Sequence, residues 1–198
     1  MESNPLLRKT IILISVCEFL CHMEELKALI RTVPDFPTKG IMFKDITPLL
    51  QHAQGFQDVM KYFNIRYKRR KIDKVAGIES RGFIFGAALA QMLGVGFIPL
   101  RKPNKLPAAK ERIEYALEYG TDALEIHRDA ISPGEKVVVI DDLLATGGTL
   151  VAAINLIEKL GGDVIECAVV IELPDLHGRE KIEKKGQTLF SMIEFEGD

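Results

Sequence analysis

The densest chemistry in the chain lies in Val137-Val138-Val139-Ile140-Asp141-Asp142-Leu143-Leu144-Ala145-Thr146-Gly147-Gly148-Thr149. The stretch reads as a buried β-branched strand, two adjacent acids, a loop of small residues and a helix start. In an open α/β sheet, ligands bind just past the carboxyl ends of the strands. Gly147 and Gly148 let backbone N–H groups converge on an anion, and Thr146 and Thr149 add hydroxyl donors. The positive end of the helix that follows points to the same place. Such a loop suits a phosphate monoester. Asp141 and Asp142, one step earlier, can accept hydrogen bonds from neighbouring hydroxyls or face a cation. Phosphate plus vicinal hydroxyls describes a ribose 5-phosphate. Two acids alone, or two glycines alone, would be an ordinary strand-to-helix turn; the whole string is not. No G-x-x-x-x-G-K-[ST] loop and no G-x-G-x-x-G fingerprint occurs.

The elements around this string must bring it to a sheet edge. Val75 to Ile78 reads as a short buried strand, followed by Glu79-Ser80-Arg81-Gly82, an apolar helix from Phe83 to Leu93, and a strand from Gly94 to Leu100. That order implies a right-handed parallel crossover. Arg101 to Lys110 is a loop with basic residues at 101, 102, 105 and 110. Alternating polarity on either side of Gly120 predicts a two-stranded flap over residues 113–127. Thr149 to Leu160 reads as a helix ended by Gly161-Gly162, and Val164 to Ile171 as another buried strand. Upstream, Leu26, Leu29, Ile30 and Val33 give a helical stripe stopped by Pro34, and Asp35 to Gly40 is a loop. Phe56, Val59, Met60 and Phe63 predict a helix from about Ala53 to Arg69. The basic cluster of Arg66 and Lys68 to Lys71 at its end reads as a solvated helix terminus.

Composition narrows the function classes. The 198 residues carry 26 Lys+Arg and 28 Asp+Glu, a net charge of −2, with 47% hydrophobic residues. Disorder is excluded by the apolar content, and broad phosphate neutralisation on nucleic acid by the near-neutral charge. Cys17, Cys21 and Cys167 form no disulfide framework, and the four scattered histidines lack metal-ligand spacing. Basic Arg8-Lys9 precedes an apolar run, Thr10 to Cys17, far short of the roughly 20 residues that span a bilayer. A secretory signal, an extra helix or strand, and a start at Met23 are the readings open for this segment.

The string around Asp141-Asp142 resembles the phosphoribosyl pyrophosphate (PRPP) motif of type I phosphoribosyltransferases. Asp35-Phe36-Pro37 with Gly40 to Pro48 resembles the hood of the adenine phosphoribosyltransferases, and Gly77 to Phe83 their pyrophosphate loop. Arg101-Lys102, Lys105-Leu106-Pro107 and Leu117-Glu118-Tyr119-Gly120 resemble their catalytic loop. The likeness runs from about Leu26 to Phe195. It implies an α/β fold of the type I phosphoribosyltransferase kind: a Rossmann-like, mainly parallel sheet flanked by helices, with a small hood and a flexible β lid. Residues 1–25 are then an N-terminal extension and 26–198 the phosphoribosyltransferase domain.

The implied reaction is adenine + PRPP → AMP + pyrophosphate. Positive charge develops on the ribose and negative charge on the leaving group, so cations belong at the pyrophosphate and acids near the sugar. The resemblance assigns the ribose and 5′-phosphate to Asp141, Asp142, Ala145, Thr146, Gly147, Gly148 and Thr149, and the pyrophosphate to Glu79, Ser80, Arg81, Arg101, Lys102 and Lys105. It makes Phe43 the ring that stacks on adenine, with Met42 and Lys44 reading the base edge and Leu173 on the opposite face. Glu118 is the implied acid/base on the lid, with Tyr119 beside it. Mg²⁺ is expected to bind mainly through substrate oxygens, without a direct protein ligand set. A cis Glu79–Ser80 peptide, a homodimer and a cytoplasmic location, with neither nucleic acid nor membrane as partner, complete what the resemblance implies. Against this pattern, Ala108-Ala109-Lys110-Glu111-Arg112 is more charged and less glycine-rich than the family's lid.

Three other readings stay open at this point. The base could be xanthine, hypoxanthine or guanine, because the edge read by the backbone is invisible in the sequence. A non-catalytic PRPP sensor would carry a DNA-binding domain, for which the residues ahead of Leu26 are too few and too weakly basic. The third is an inactive homologue kept for its dimer surface.

Overall fold

A computed structural model describes residues 22–116 and 121–197. By their internal contacts these fall into two compact units, one ending at Gln57 and one beginning at Asp58.

In the N-terminal unit, residues 22–28 are helical (α1), with Met23 and Leu26 buried. The helical stripe does not continue to Val33. Arg31–Pro34 is strand β1, paired antiparallel with β2, Met42–Asp45, in the register Val33↔Phe43. The apolar spacing of Leu29, Ile30 and Val33 suits either periodicity, and β-branched Thr32-Val33 before a proline favours the extended form. Phe43 is therefore a strand residue. Helix α2 is Thr47–Gln51, with Pro48 in its first turn, where a missing N–H is no loss. Helix α3, Ala53–Tyr67, begins here and lies mostly in the second unit.

The larger unit is built on a five-stranded sheet. Its strands are β3 (Lys74–Ile78), β4 (Gly96–Leu100), β7 (Lys136–Leu144), β8 (Asp163–Glu172) and β9 (Leu189–Glu194). Their order is β4-β3-β7-β8-β9, and every pairing is parallel. Helix α4 (Gly82–Leu93) joins β3 to β4, α5 (Gly148–Lys159) joins β7 to β8, and α6 (Gly178–Lys184) joins β8 to β9. Both faces of the sheet are covered. Val137 and Val139 join a core with Leu150, Ala153 and Ile157 of α5. Val138 and Ile140 point the other way by the pleat and are just as buried. This double burial is why β7 reads as an unbroken apolar run.

Strands β5 (Lys110–Ala116) and β6 (Thr121–His127) form an antiparallel ribbon. The charges of 108–112 are paired there. Lys110 Nζ is 2.8 Å from Glu125, and Glu111 meets both Arg128 and Lys159.

The basic end of α3 is not simply solvated. Arg66 and Arg70 reach Glu166 on β8 at 2.6 and 3.0 Å, and the Tyr67 hydroxyl donates to the same carboxylate at 2.6 Å. Glu166 is buried. A carboxylate in that position must be paired, and the cluster on α3 supplies the partners.

One topological fact places the site. From β3 the chain winds outward to β4, then returns to β7 on the other side of β3 and winds on through β8 to β9. The strand order reverses between β3 and β7, and the crevice at such a reversal is where open α/β sheets bind ligands. The register deepens it. Pairing of β3 with β7 stops at Gly77↔Ile140, whereas β7 stays paired with β8 to Leu144↔Glu172. Asp141 to Leu144 therefore extend beyond their pairing with β3.

Candidate functional site

The crevice is a cleft of about 310 Å³ lined by both sequence segments singled out above. The β3 side brings Glu79, Ser80 and Arg81, and the β7 side brings Asp141, Asp142, Ala145, Thr146, Gly147 and Thr149. Lys102 enters from the connection after β4, and Ile78, Leu143, Leu144 and Leu150 supply apolar wall.

Two close approaches shape the cleft. A Cβ on Gly82 would lie 2.8 Å from both Ile140 O and Asp141 Oδ1; only glycine lets the 79–82 turn settle onto β7. At Gly147, φ is +80°, and an added Cβ would meet Gly178 O at 2.7 Å. Gly147 is the N-cap of α5, so the N–H groups of its first turn have no partner within the helix, and Thr149 and Leu150 of that turn line the cleft. The Glu79–Ser80 peptide is cis, as the resemblance implied.

Opposite charges are held in contact. Arg81 Nε lies 2.6 Å from Asp142 Oδ2. Asp142 N donates to Asp141 Oδ1 at 2.9 Å. Burial, then the neighbouring Asp142 charge, push the Asp141 carboxyl well above the usual carboxylate range. Burial also raises Asp142, against the opposing pull of Arg81.

Glu79 is the reverse case. Burial works against its charge, yet Lys105 at 2.6 Å, Arg101 at 3.2 Å and the Lys102 amide at 3.0 Å outweigh it and hold the carboxyl at about 2. Glu79 thus gathers three of the cations and donors expected at the pyrophosphate. Its side chain serves as their anchor, since an acid cannot itself receive an anion. Arg101 also donates to Lys105 O at 3.1 Å. Lys102 Nζ is tied to the β5–β6 ribbon by Asp122 and by Tyr115 Oη at 2.7 Å. Burial disfavours the Lys102 charge, and those two partners more than restore it. Asp122 and Tyr115 were not legible as site neighbours in the sequence, where both look like ordinary ribbon residues.

Gly148 begins α5 behind the loop, and Leu173 follows β8, its N–H donating to Leu144 O at 3.0 Å. The three residues expected at the base lie in the N-terminal unit. Met42 is exposed, the Phe43 ring packs edge-on against Phe36 at 5.0 Å, and buried Lys44 donates to Thr32 Oγ1 at 3.1 Å. Glu118 and Tyr119 fall outside the described residues, as do Cys17 and Cys21. Among the described residues no cluster of three or more His, Cys, Asp or Glu is arranged to hold a metal ion. With Asp142 paired to Arg81 and the Asp141 carboxyl raised, the cleft residues fit a Mg²⁺ carried mainly on substrate oxygens rather than on a protein ligand set.

Comparison with known proteins agrees with this geometry. A model of the phosphoribosyl transferase domain matches residues 45–198. The adenine phosphoribosyltransferase of Chloroflexus aurantiacus is 58% identical over 87% of this chain and 98% of its own length. The crystal structure of the adenine phosphoribosyltransferase from Thermoanaerobacter pseudethanolicus superposes with a TM-score of 0.84 at 52% identity, covering 87% of this chain and 99% of that one. A Giardia lamblia structure complexed with 9-deazaadenine superposes equally well, at 0.84 and 44% identity, over 87% of this chain and 97% of that one.

Proposed function

We propose, from the premise that the chain belongs to the phosphoribosyltransferase family and groups with its adenine phosphoribosyltransferases, that it transfers the phosphoribosyl group of PRPP to N9 of adenine. The products are AMP and pyrophosphate, the chemistry of purine salvage. The observation that carries the reading is the cleft at the β3/β7 reversal, where a glycine-rich helix start, two buried acids and a group of cations converge.

The loop of Ala145 to Thr149 receives the 5′-phosphate on backbone N–H groups and the Thr146 and Thr149 hydroxyls. Asp141 and Asp142 hydrogen-bond the ribose hydroxyls, and Asp142, whose charge Arg81 supports, stabilises positive charge growing at C1′. Arg81, Arg101, Lys102 and Lys105 face the charge accumulating on the departing pyrophosphate. When bound through substrate oxygens, Mg²⁺ would add charge neutralisation at the pyrophosphate. Met42, Phe43 and Lys44 with Leu173 hold the adenine, Phe43 by stacking. Glu118, with Tyr119 beside it, serves as acid/base at the purine, and closure of the ribbon keeps water from the reactive sugar.

The likeness to enzymes named for adenine, one of them complexed with 9-deazaadenine, favours adenine over the other purines. A homodimer working in the cytoplasm on these two small substrates completes the proposal. No helix among the described residues is long and apolar enough to cross a membrane.

The test is initial-rate measurement with Mg·PRPP and each of adenine, hypoxanthine, guanine and xanthine. Adenine is expected to exceed every other base by at least about 10²-fold in kcat/KM, as a site hydrogen-bonded to one base edge rejects the others. Preference for another base overturns the specificity, and absence of turnover with all four overturns the enzyme reading.

A further inference from the structure

The phosphate loop is braced from behind by residues with no chemistry of their own. Gly178 begins α6, well along the chain from Gly147, yet the two backbones cross. A Cβ on Gly178 would lie 2.1 Å from Ala145 O and 3.0 Å from Gly147 N, and one on Gly147 would lie 2.7 Å from Gly178 O. Neither glycine can gain a side chain without moving the loop.

The next residue fixes Gly178 in place. Arg179 forms a two-pronged ion pair with Glu172, Nε to Oε1 at 2.9 Å and a second contact from the other guanidinium nitrogen to Oε2. It also donates to Leu189 O at 3.2 Å and Ser191 Oγ at 2.9 Å on β9. Glu172 is buried at the carboxyl end of β8, beside the end of β7 that carries the loop. The guanidinium therefore ties the first turn of α6 to two sheet strands at the level of the cleft. Ile182, one turn on, is fully buried and holds the rest of α6. A planar fork matched to a carboxylate fixes orientation as well as distance, which a lysine cannot do.

We propose that Gly178, Arg179 and Glu172 are positioning residues for the 145–149 loop, setting where its N–H groups point and hence the affinity for the 5′-phosphate of the substrate. This rests on the reading of that loop as the phosphate subsite. Preorganised donors work only within a fraction of an ångström, and a shift of about 1 Å costs roughly 10²-fold.

The test uses the full chain and three variants: Gly178→Ala, Arg179→Lys and Glu172→Gln. Two readouts are taken: calorimetric affinity for ribose 5-phosphate, and KM for PRPP and for adenine separately. Gly178→Ala is expected to weaken ribose 5-phosphate binding and raise the PRPP KM by about 10²-fold, leaving the adenine KM within about twofold. Arg179→Lys and Glu172→Gln, milder changes, are expected to give about tenfold on the same two quantities. A merely destabilised protein would lose active fraction, and so apparent kcat, with both KM values unchanged.

Parental affinity and parental PRPP KM in Arg179→Lys and Glu172→Gln overturn the proposal, even if Gly178→Ala does not fold. Equal rises in both KM values overturn it too. Failure of the parent to bind ribose 5-phosphate overturns the phosphate reading of the loop, and this inference with it. If the parent binds ribose 5-phosphate without turnover, the calorimetry decides: parental affinity in Arg179→Lys and Glu172→Gln overturns the proposal, and about tenfold weaker binding in both supports it.

Discussion

Arg81 Nε and Asp142 Oδ2 sit 2.6 Å apart at the meeting of the two segments that build the cleft. A cation assigned to the leaving group and an acid assigned to the sugar thus neutralise each other before any ligand arrives. Asp142 is almost wholly buried, and a carboxylate there without its cation would bear an uncompensated desolvation cost. Asp142→Ala is expected to weaken Mg·PRPP binding by about 1.5–3 kcal/mol through lost charge-assisted bonds. Calorimetry showing unchanged affinity would remove Asp142 from the sugar site.

Glu79 makes a sharper claim about the cations. If its role is to hold Arg101 and Lys105, Glu79→Gln should raise the KM for PRPP about tenfold while the neutral amide preserves shape. The pH dependence has a definite sign. The native carboxyl is lowered to about 2 from an ordinary value of 4.5. Its contribution is complete above the ordinary value and fades as pH falls through about 2. PRPP affinity should therefore show no step assignable to Glu79 between pH 5 and 8, a range set by enzyme assay practice and roughly clear of both values. A parent-like KM in Glu79→Gln would refute the anchoring role.

Asp141 titrates in the opposite sense. Burial and the adjacent Asp142 raise its carboxyl above the unfolded value, so native protein holds this proton where unfolded chain has lost it. Stability then falls as pH rises through that window. Asp141→Asn, which keeps an oxygen for the Asp142 N–H, should melt higher than the parent at neutral pH. That advantage should close as pH drops toward about 4, where the unfolded aspartate is itself protonated. Calorimetric melts across this range check it; a variant less stable than the parent at neutral pH contradicts it.

Glu118 carries the expected acid/base role. Glu118→Ala should lose roughly 10²–10⁴-fold in kcat, the usual contribution of a positioned general acid or base. A variant within threefold of the parent in single-turnover rate would sink the assignment.

At the far end of β8, Glu166 offers a test that separates stability from chemistry. Removing it leaves the buried Tyr67 hydroxyl without its acceptor, while Arg66 and Arg70, each more than a third exposed, regain water. Glu166→Ala should cost about 2–3 kcal/mol, less than for a fully buried pair, read as a lower denaturation midpoint. The kcat of the remaining folded protein should match the parent, and a selective loss of kcat would contradict the separation.

What could be read from the sequence was what lies contiguous in it. Val137 to Thr149 holds strand, acids, loop and helix start in one run, so its chemistry survives without a fold. Glu79 to Gly82 is legible for the same reason. Gly178 and Arg179 are not: nothing in their neighbourhood signals a ligand, and their importance arises where two distant turns cross. Arg66 and Glu166, 100 residues apart, show the same limit; a cluster of basic residues looks solvated until the acid beneath it is placed. Strand β1 was missed for a local reason, since its short apolar spacing fits two periodicities and only pairing with β2 decides between them.

The uneven ending of the strands has a directional consequence. Strand β7, carried forward beside β8, stands higher at the rim than β3 beside β4. The floor of the cleft is therefore a step, with the glycine-rich loop above and the Glu79-anchored cations below. On the function proposed above, a substrate with a single phosphate at one end and two at the other would meet unlike surfaces on the two sides, so the place where a ladder of backbone hydrogen bonds stops gives the cleft a direction.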